Sequence, residues 1–125
     1  MTASKRARQS AILDRYAQRF QELSQQLQGL DYFCKGTVLK RMMKCGRVQC
    51  ACHSNPAKRH GPYFELTYKA NRTTVNVKLT SRSAAIYKSA TRQYRRVKQI
   101  VNRLESVSRQ ALQKLAKQAE SDAGK

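Results

Sequence analysis

Three of the four cysteines fall within eight residues, in the run Cys45-Gly46-Arg47-Val48-Gln49-Cys50-Ala51-Cys52, and two histidines follow at His53 and His60. Thiolate and imidazole donors at this density suit Zn²⁺, whose structural sites close with four tetrahedral protein ligands. Cys45, Cys50 and Cys52 therefore need one histidine. His60 is favoured, because His53 adjoins Cys52 and a single backbone step hinders both side chains from reaching one ion, whereas the loop to His60 can fold back; His53 stays open as the alternative. Gly46 suits a tight turn after the first ligand, and Gly61-Pro62 suits a chain leaving the site into a strand. Cys34 stands alone eleven residues before Cys45 and reads as a structural thiol.

Catalysis by such a metal needs an open coordination position and usually a neighbouring carboxylate. No acid lies between Asp31 and Glu65, which leaves Glu65 as the one acid near His60 in sequence. Metal-assisted phosphoryl transfer needs several converging carboxylates, and the chain has only seven, spread along its length. Phosphate-loop and serine-nucleophile signatures are also missing. The expectation is a protein that is not an enzyme, its zinc serving as a staple.

Charge points to the partner. Twenty-six Lys and Arg against seven Asp and Glu give a formal +19 over 125 residues, which makes a polyanion the natural ligand. Residues 1–30 carry +3, residues 31–80 carry +8 and residues 81–125 carry +8, so the charge belongs to the body of the protein and not to one tail. No apolar run approaches the ~20 residues of a membrane span, and Met1 to Arg8 has no apolar segment behind its basic residues as a secretory signal would. A cytoplasmic, nucleoid-associated protein is expected, in a compartment where clustered cysteines bind metal and do not oxidise.

The elements that must position the cluster are legible on either side of it. Leu13, Tyr16, Phe20, Leu23, Leu27 and Leu30 recur at heptad spacing and predict a helix from about Ser4 to Gln28 that stops near Gly29. The same rhythm at Tyr87, Ala90, Tyr94, Val97, Val101, Leu104, Ser108, Ala111 and Leu115 predicts a longer helix from about Ser83, with Thr80, Ser81 or Ser83 as its N-cap. Between them, residues 63–69 and 73–80 alternate as strands, with Ala70-Asn71-Arg72 as the hairpin turn, and Gly36 to Lys44 is a weaker third strand. The expected fold is α+β: a zinc-stapled β-hairpin or three-stranded module flanked by two long heptad-patterned helices, forming a helical hairpin or a coiled-coil dimer. The expected division is an N-terminal helix (1–30), zinc knuckle and hairpin (31–80), basic C-terminal helix (81–120) and frayed tail (121–125), all within one structural domain. The surplus length of the second helix favours a homodimer.

Residues 36–63, with a basic stretch, the Cys-Gly-x-x-x-Cys-x-Cys run and His60-Gly61-Pro62-Tyr63, resemble a family of small uncharacterised bacterial proteins often encoded near transposases and recombinases. The resemblance covers roughly residues 36–105 and leaves the N-terminal helix outside. It implies Cys45, Cys50, Cys52 and His60 as the ligand set, and a DNA-binding accessory role for a transposase or site-specific recombinase of a mobile element.

Phosphate contacts require cations grouped on one surface. Lys88, Arg92, Arg95, Arg96 and Arg103 share a stripe of the second helix, and Lys40, Arg41, Lys44, Arg47, Lys58 and Arg59 surround the cysteine cluster. Duplex DNA is the favoured ligand. RNA is the alternative, as for a ribosome- or guide-RNA-associated protein, and a coiled-coil adaptor recruiting a larger enzyme is a third reading. Tyr63, Phe64 and Tyr68 are expected in the core, with Tyr63 the best placed to stack on a base.

Overall fold

A computed structural model describes residues 3–124. In chain order the elements are α1 (Ala3–Gln28), β1 (Thr37–Met43), β2 (His60–Ala70), β3 (Thr73–Leu79) and α2 (Ser81–Ala123), with two short 3₁₀ turns at Ala51–His53 and Pro56–Lys58. The fold is α+β, as the alternation of sequence patterns predicts. Its described residues form two compact units: those up to 30 with those from 96 onward, and residues 31–95. Among the described residues no helix is long and apolar enough to cross a membrane.

The first unit is an antiparallel helix pair. Gln118 Nε2 donates to Gln9 Oε1 at 3.4 Å, and residues 13–21 share a groove with residues 107–115. Leu23 and Ile100 are its buried apolar side chains. The heptad seam placed Val101 and Leu115 inward, but they are 46% and 48% exposed while Ile100, one step off that seam, is 2% exposed. Two helices meeting along a single line cover only a narrow stripe, so side chains at the margin of each seam stay in solvent. The surplus of α2 over α1 is not an overhang, because residues 81–95 belong to the second unit. The length argument for a dimer therefore falls. α2 reaches Ala123, within the segment 121–125 read as a tail.

The second unit is a three-stranded antiparallel sheet in the order β1-β2-β3, with the first turns of α2. The weak third strand is real, and β2 begins at His60, earlier than the alternation alone suggested. Ala70 pairs with Thr73, leaving a two-residue turn in which Asn71 (φ 50°) and Arg72 (φ 66°) are both left-handed. That is the turn whose twist suits two adjacent strands.

Register sorts the sheet into two faces. Val38 pairs with Leu66 and Leu66 with Val77, while Phe64 lies beside Lys40 and Leu79, and Tyr68 beside Val75. This is the covered face: Leu66 is 3% exposed, and Val38 shares a cavity with Lys88 and Thr91 of α2. Ala84 and Thr91 are buried on the same helix, Phe33 packs beside Tyr94 with ring centroids 6.2 Å apart and planes tilted by 30°, and the Cys34 amide donates to the Ala90 carbonyl. The start of α2 is held by a reciprocal cap: the Ser83 amide donates to Thr80 Oγ1 at 3.1 Å and the Thr80 amide to Ser83 Oγ at 2.8 Å.

Candidate metal centre and cationic surfaces

Cys45 follows β1, Cys50 and Cys52 flank the start of the first 3₁₀ turn, and His60 opens β2. Because β1 and β2 pair antiparallel, with Met43 opposite His60, the first ligand and the last are brought to the same end of the sheet. The intervening loop carries the other two. All four donor atoms lie within 4.8 Å of one another. Cys45 Sγ and Cys52 Sγ are 3.6 Å apart, and Cys50 Sγ is 3.3 Å from His60 Nε2. Zn–S and Zn–N bonds of about 2.3 and 2.05 Å imply tetrahedral edges of about 3.8 Å between sulfurs and about 3.6 Å between sulfur and nitrogen. The four residues are close enough to hold a metal ion, and the donor set is compatible with zinc.

The local electrostatics differ from one thiol to the next. The backbone amide of Cys52 and then the His60 ring stabilise the Cys50 thiolate and lower its pKa to about 6. Cys52, fully buried, is pushed up by desolvation. The Cys45 amide donates to Cys52 Sγ at 3.3 Å. His53 is not among the clustered donors. Its Nε2 donates instead to the Cys45 carbonyl at 2.8 Å, so it braces the loop that carries the first ligand.

Glycine is required at a different place from the one expected. A Cβ at Gly46 would meet open space, and the backbone there is not left-handed. Gly61 has φ 138°, and a Cβ there would stand 2.8 Å from the Arg41 carbonyl oxygen. It lies where the β1–β2 register shifts between Arg41 and Met43, so a bare backbone lets β2 pass β1 and deliver His60.

The cations expected around the cluster are spread over β1 and the loops beside it. Lys40 pairs with Phe64 on the covered face, whereas Arg41 pairs with Tyr63 on the opposite face, because successive strand residues alternate. Lys44, Arg47 and Lys58 are exposed in the loops, and Arg59 is half-buried with Nε lacking a hydrogen-bond partner. Arg96 and Arg103 are exposed in the helix-pair unit. Lys88, Arg92 and Arg95, in contrast, come together in the second unit around a cavity of about 250 Å³ that Gly36, Thr37, Val38 and Thr91 complete. Spacing of the cations found their shared helix face; Gly36 and Thr37, distant in sequence, carried no signal.

The uncovered face of the sheet also escaped sequence reasoning. Arg41, Tyr63, Lys69 and Lys78 fall on it, with Glu65 between Leu39 and Lys78. Tyr63 is 51% exposed, unlike Phe64 and Tyr68, which are half-buried on the covered side.

Residues 13–85 match the family model described as a domain of unknown function, DUF6788, and the chain belongs to that family. The match starts at Leu13, so it takes in much of α1, which the resemblance had left outside, and it ends at residue 85 instead of near 105. No curated protein and no solved structure matches the chain.

Proposed function

We propose that this chain is a nucleic-acid-binding protein stapled by zinc at Cys45, Cys50, Cys52 and His60, and that it acts as a DNA-binding accessory factor for a transposase or site-specific recombinase in the bacterial cytoplasm. The observation that carries the binding is stoichiometric: twenty-six cations stand against seven acids, so nineteen cations are in excess of the carboxylate side chains of their own chain. Two of those acids, Glu22 and Glu105, pair with Arg19 and Arg109 of their own helices. A polyanion supplies what the chain lacks, through phosphate contacts that release counterions.

In this reading the metal is structural. Four protein donors close the coordination sphere and leave no position for a reactive water, and zinc contributes on the order of 10 kcal/mol to folding of the segment that joins β1 to β2. A duplex ligand fits cations presented on a helix. The recombination setting rests on the resemblance alone.

A second reading, single-stranded or structured RNA, is favoured by Tyr63, exposed beside Arg41 on an uncovered sheet face where a base can stack. A salt series on zinc-loaded, nuclease-treated protein with length-matched duplex DNA, single-stranded DNA and structured RNA tests both. Steep salt dependence with a duplex preference supports the first. A preference for RNA that Tyr63→Ala abolishes supports the second, and absence of binding to all three at low salt overturns both.

A further inference from the structure

A cavity at the start of β1 gathers three cations of α2. Lys88, Arg92 and Arg95 are spaced four and three along α2, so all three reach one side of the helix, and no carboxylate lines the cavity with them. The facing wall is Gly36, Thr37 and Val38 at the start of β1. Gly36 adopts φ 138°, and a Cβ at this position would lie 2.9 Å from both Leu66 Cδ1 and the Thr67 carbonyl oxygen, so only glycine lets the chain run this close to β2 at the cavity's edge. Thr91, 5% exposed, also lines it, its hydroxyl donating to the Lys88 carbonyl at 3.0 Å. The cavity is thus a concave, acid-free site lined by two arginines and a lysine on one side and Gly36, Thr37 and Val38 on the other.

We propose that this cavity is a phosphate-binding pocket. Guanidinium groups match tetrahedral oxyanions through paired N–H donors, and the lysine adds a point charge. Three cations around one cavity suit a phosphate carrying between one and two negative charges better than a lone carboxylate. The phosphate is an internal diester of a nucleic-acid strand or a monoester at a strand end. The choice of source rests on the nucleic-acid reading; the pocket itself does not.

The test uses zinc-loaded, full-length protein and inorganic phosphate at constant ionic strength, followed through the backbone amide resonances of Gly36, Thr37 and Thr91. Saturable shifts confined to these residues are expected. Arg92→Ala with Arg95→Ala weakens binding by roughly tenfold or more, and Arg92→Lys with Arg95→Lys, which keeps the charge and loses the forks, weakens it by a smaller but measurable factor. Lys114→Ala with Lys117→Ala removes the same charge from the helix-pair unit and leaves phosphate binding unchanged. If this control weakens binding as much as the arginine pair does, or if the three amides do not move, the pocket is overturned. Oligonucleotides with and without a 5′-phosphate then separate the sources. Tighter binding of the phosphorylated strand marks an end-recognising pocket, and equal binding with shifts at the same amides marks a diester site. Phosphate binding without oligonucleotide binding keeps the pocket and removes the nucleic-acid reading, whereas salt-dependent oligonucleotide binding that leaves these amides unmoved keeps that reading and removes the pocket.

Discussion

His53 and His60 illustrate how much a single residue's position decides. Both are imidazoles within eight residues of Cys52, yet His60 Nε2 lies 3.3 Å from Cys50 Sγ while His53 Nε2 lies 2.8 Å from the Cys45 carbonyl. His60→Ala should abolish stoichiometric metal binding, and His60→Cys should restore it, since a fourth thiolate also closes a tetrahedral zinc site. His53→Ala should keep one metal per chain but lower affinity by about tenfold, as loss of an outer bracing interaction does. Competition with a chelating indicator dye measures all three. Cys50→Ser removes the ligand whose thiolate is already favoured at neutral pH, because its pKa is held at about 6. That variant should lose the metal and the amide-exchange protection of the segment joining β1 to β2, while α1 keeps its helical signal.

At the scale of elements, the strands carry their own tests. Arg72 sits at φ 66° in the two-residue turn between β2 and β3, a conformation that a side chain disfavours and glycine adopts freely. Arg72→Gly should stabilise the protein by about 0.5–1 kcal/mol in thermal or denaturant unfolding. Gly61→Ala should do the reverse. Its Cβ would meet the Arg41 carbonyl at 2.8 Å in a left-handed conformation, so a loss of roughly 1–3 kcal/mol is expected together with weaker metal binding, because the same backbone step delivers His60. The strands were legible as alternating runs, and the third strand only weakly so. The bulge between Arg41 and Met43 was not, because it arises from how two strands meet and has no periodicity of its own.

For the whole molecule the governing quantity is the formal +19. Arg92→Ala, Arg95→Ala and Arg96→Ala together should leave the unfolding midpoint nearly unchanged, since all three side chains are exposed, and should weaken duplex binding. The slope of log affinity against log salt should fall by about 0.9 for each phosphate that the variant no longer neutralises. Fluorescence anisotropy across a salt series measures both effects. A variant that binds as well as the parent at moderate salt would place the grip elsewhere, with the uncovered sheet face carrying Arg41, Lys69 and Lys78 the next surface to test.

Composition and local spacing were enough to specify the α+β element order, a hairpin turn within Ala70-Asn71-Arg72, the three clustered cysteines with His60 favoured over His53, and the excess of positive charge. Each of these follows from neighbours in the chain: period, turn chemistry, ligand density and a count of charges. Tertiary structure decided what depends on residues far apart. It separated Lys40 from Arg41 by the pleat of β1, turned Ile100 inward and Val101 outward, and set Gly36 and Thr37 against Lys88, Arg92 and Arg95. Strand register and helix rotation are fixed by which surfaces exclude water together, and that is a property of the packed chain rather than of any segment of it.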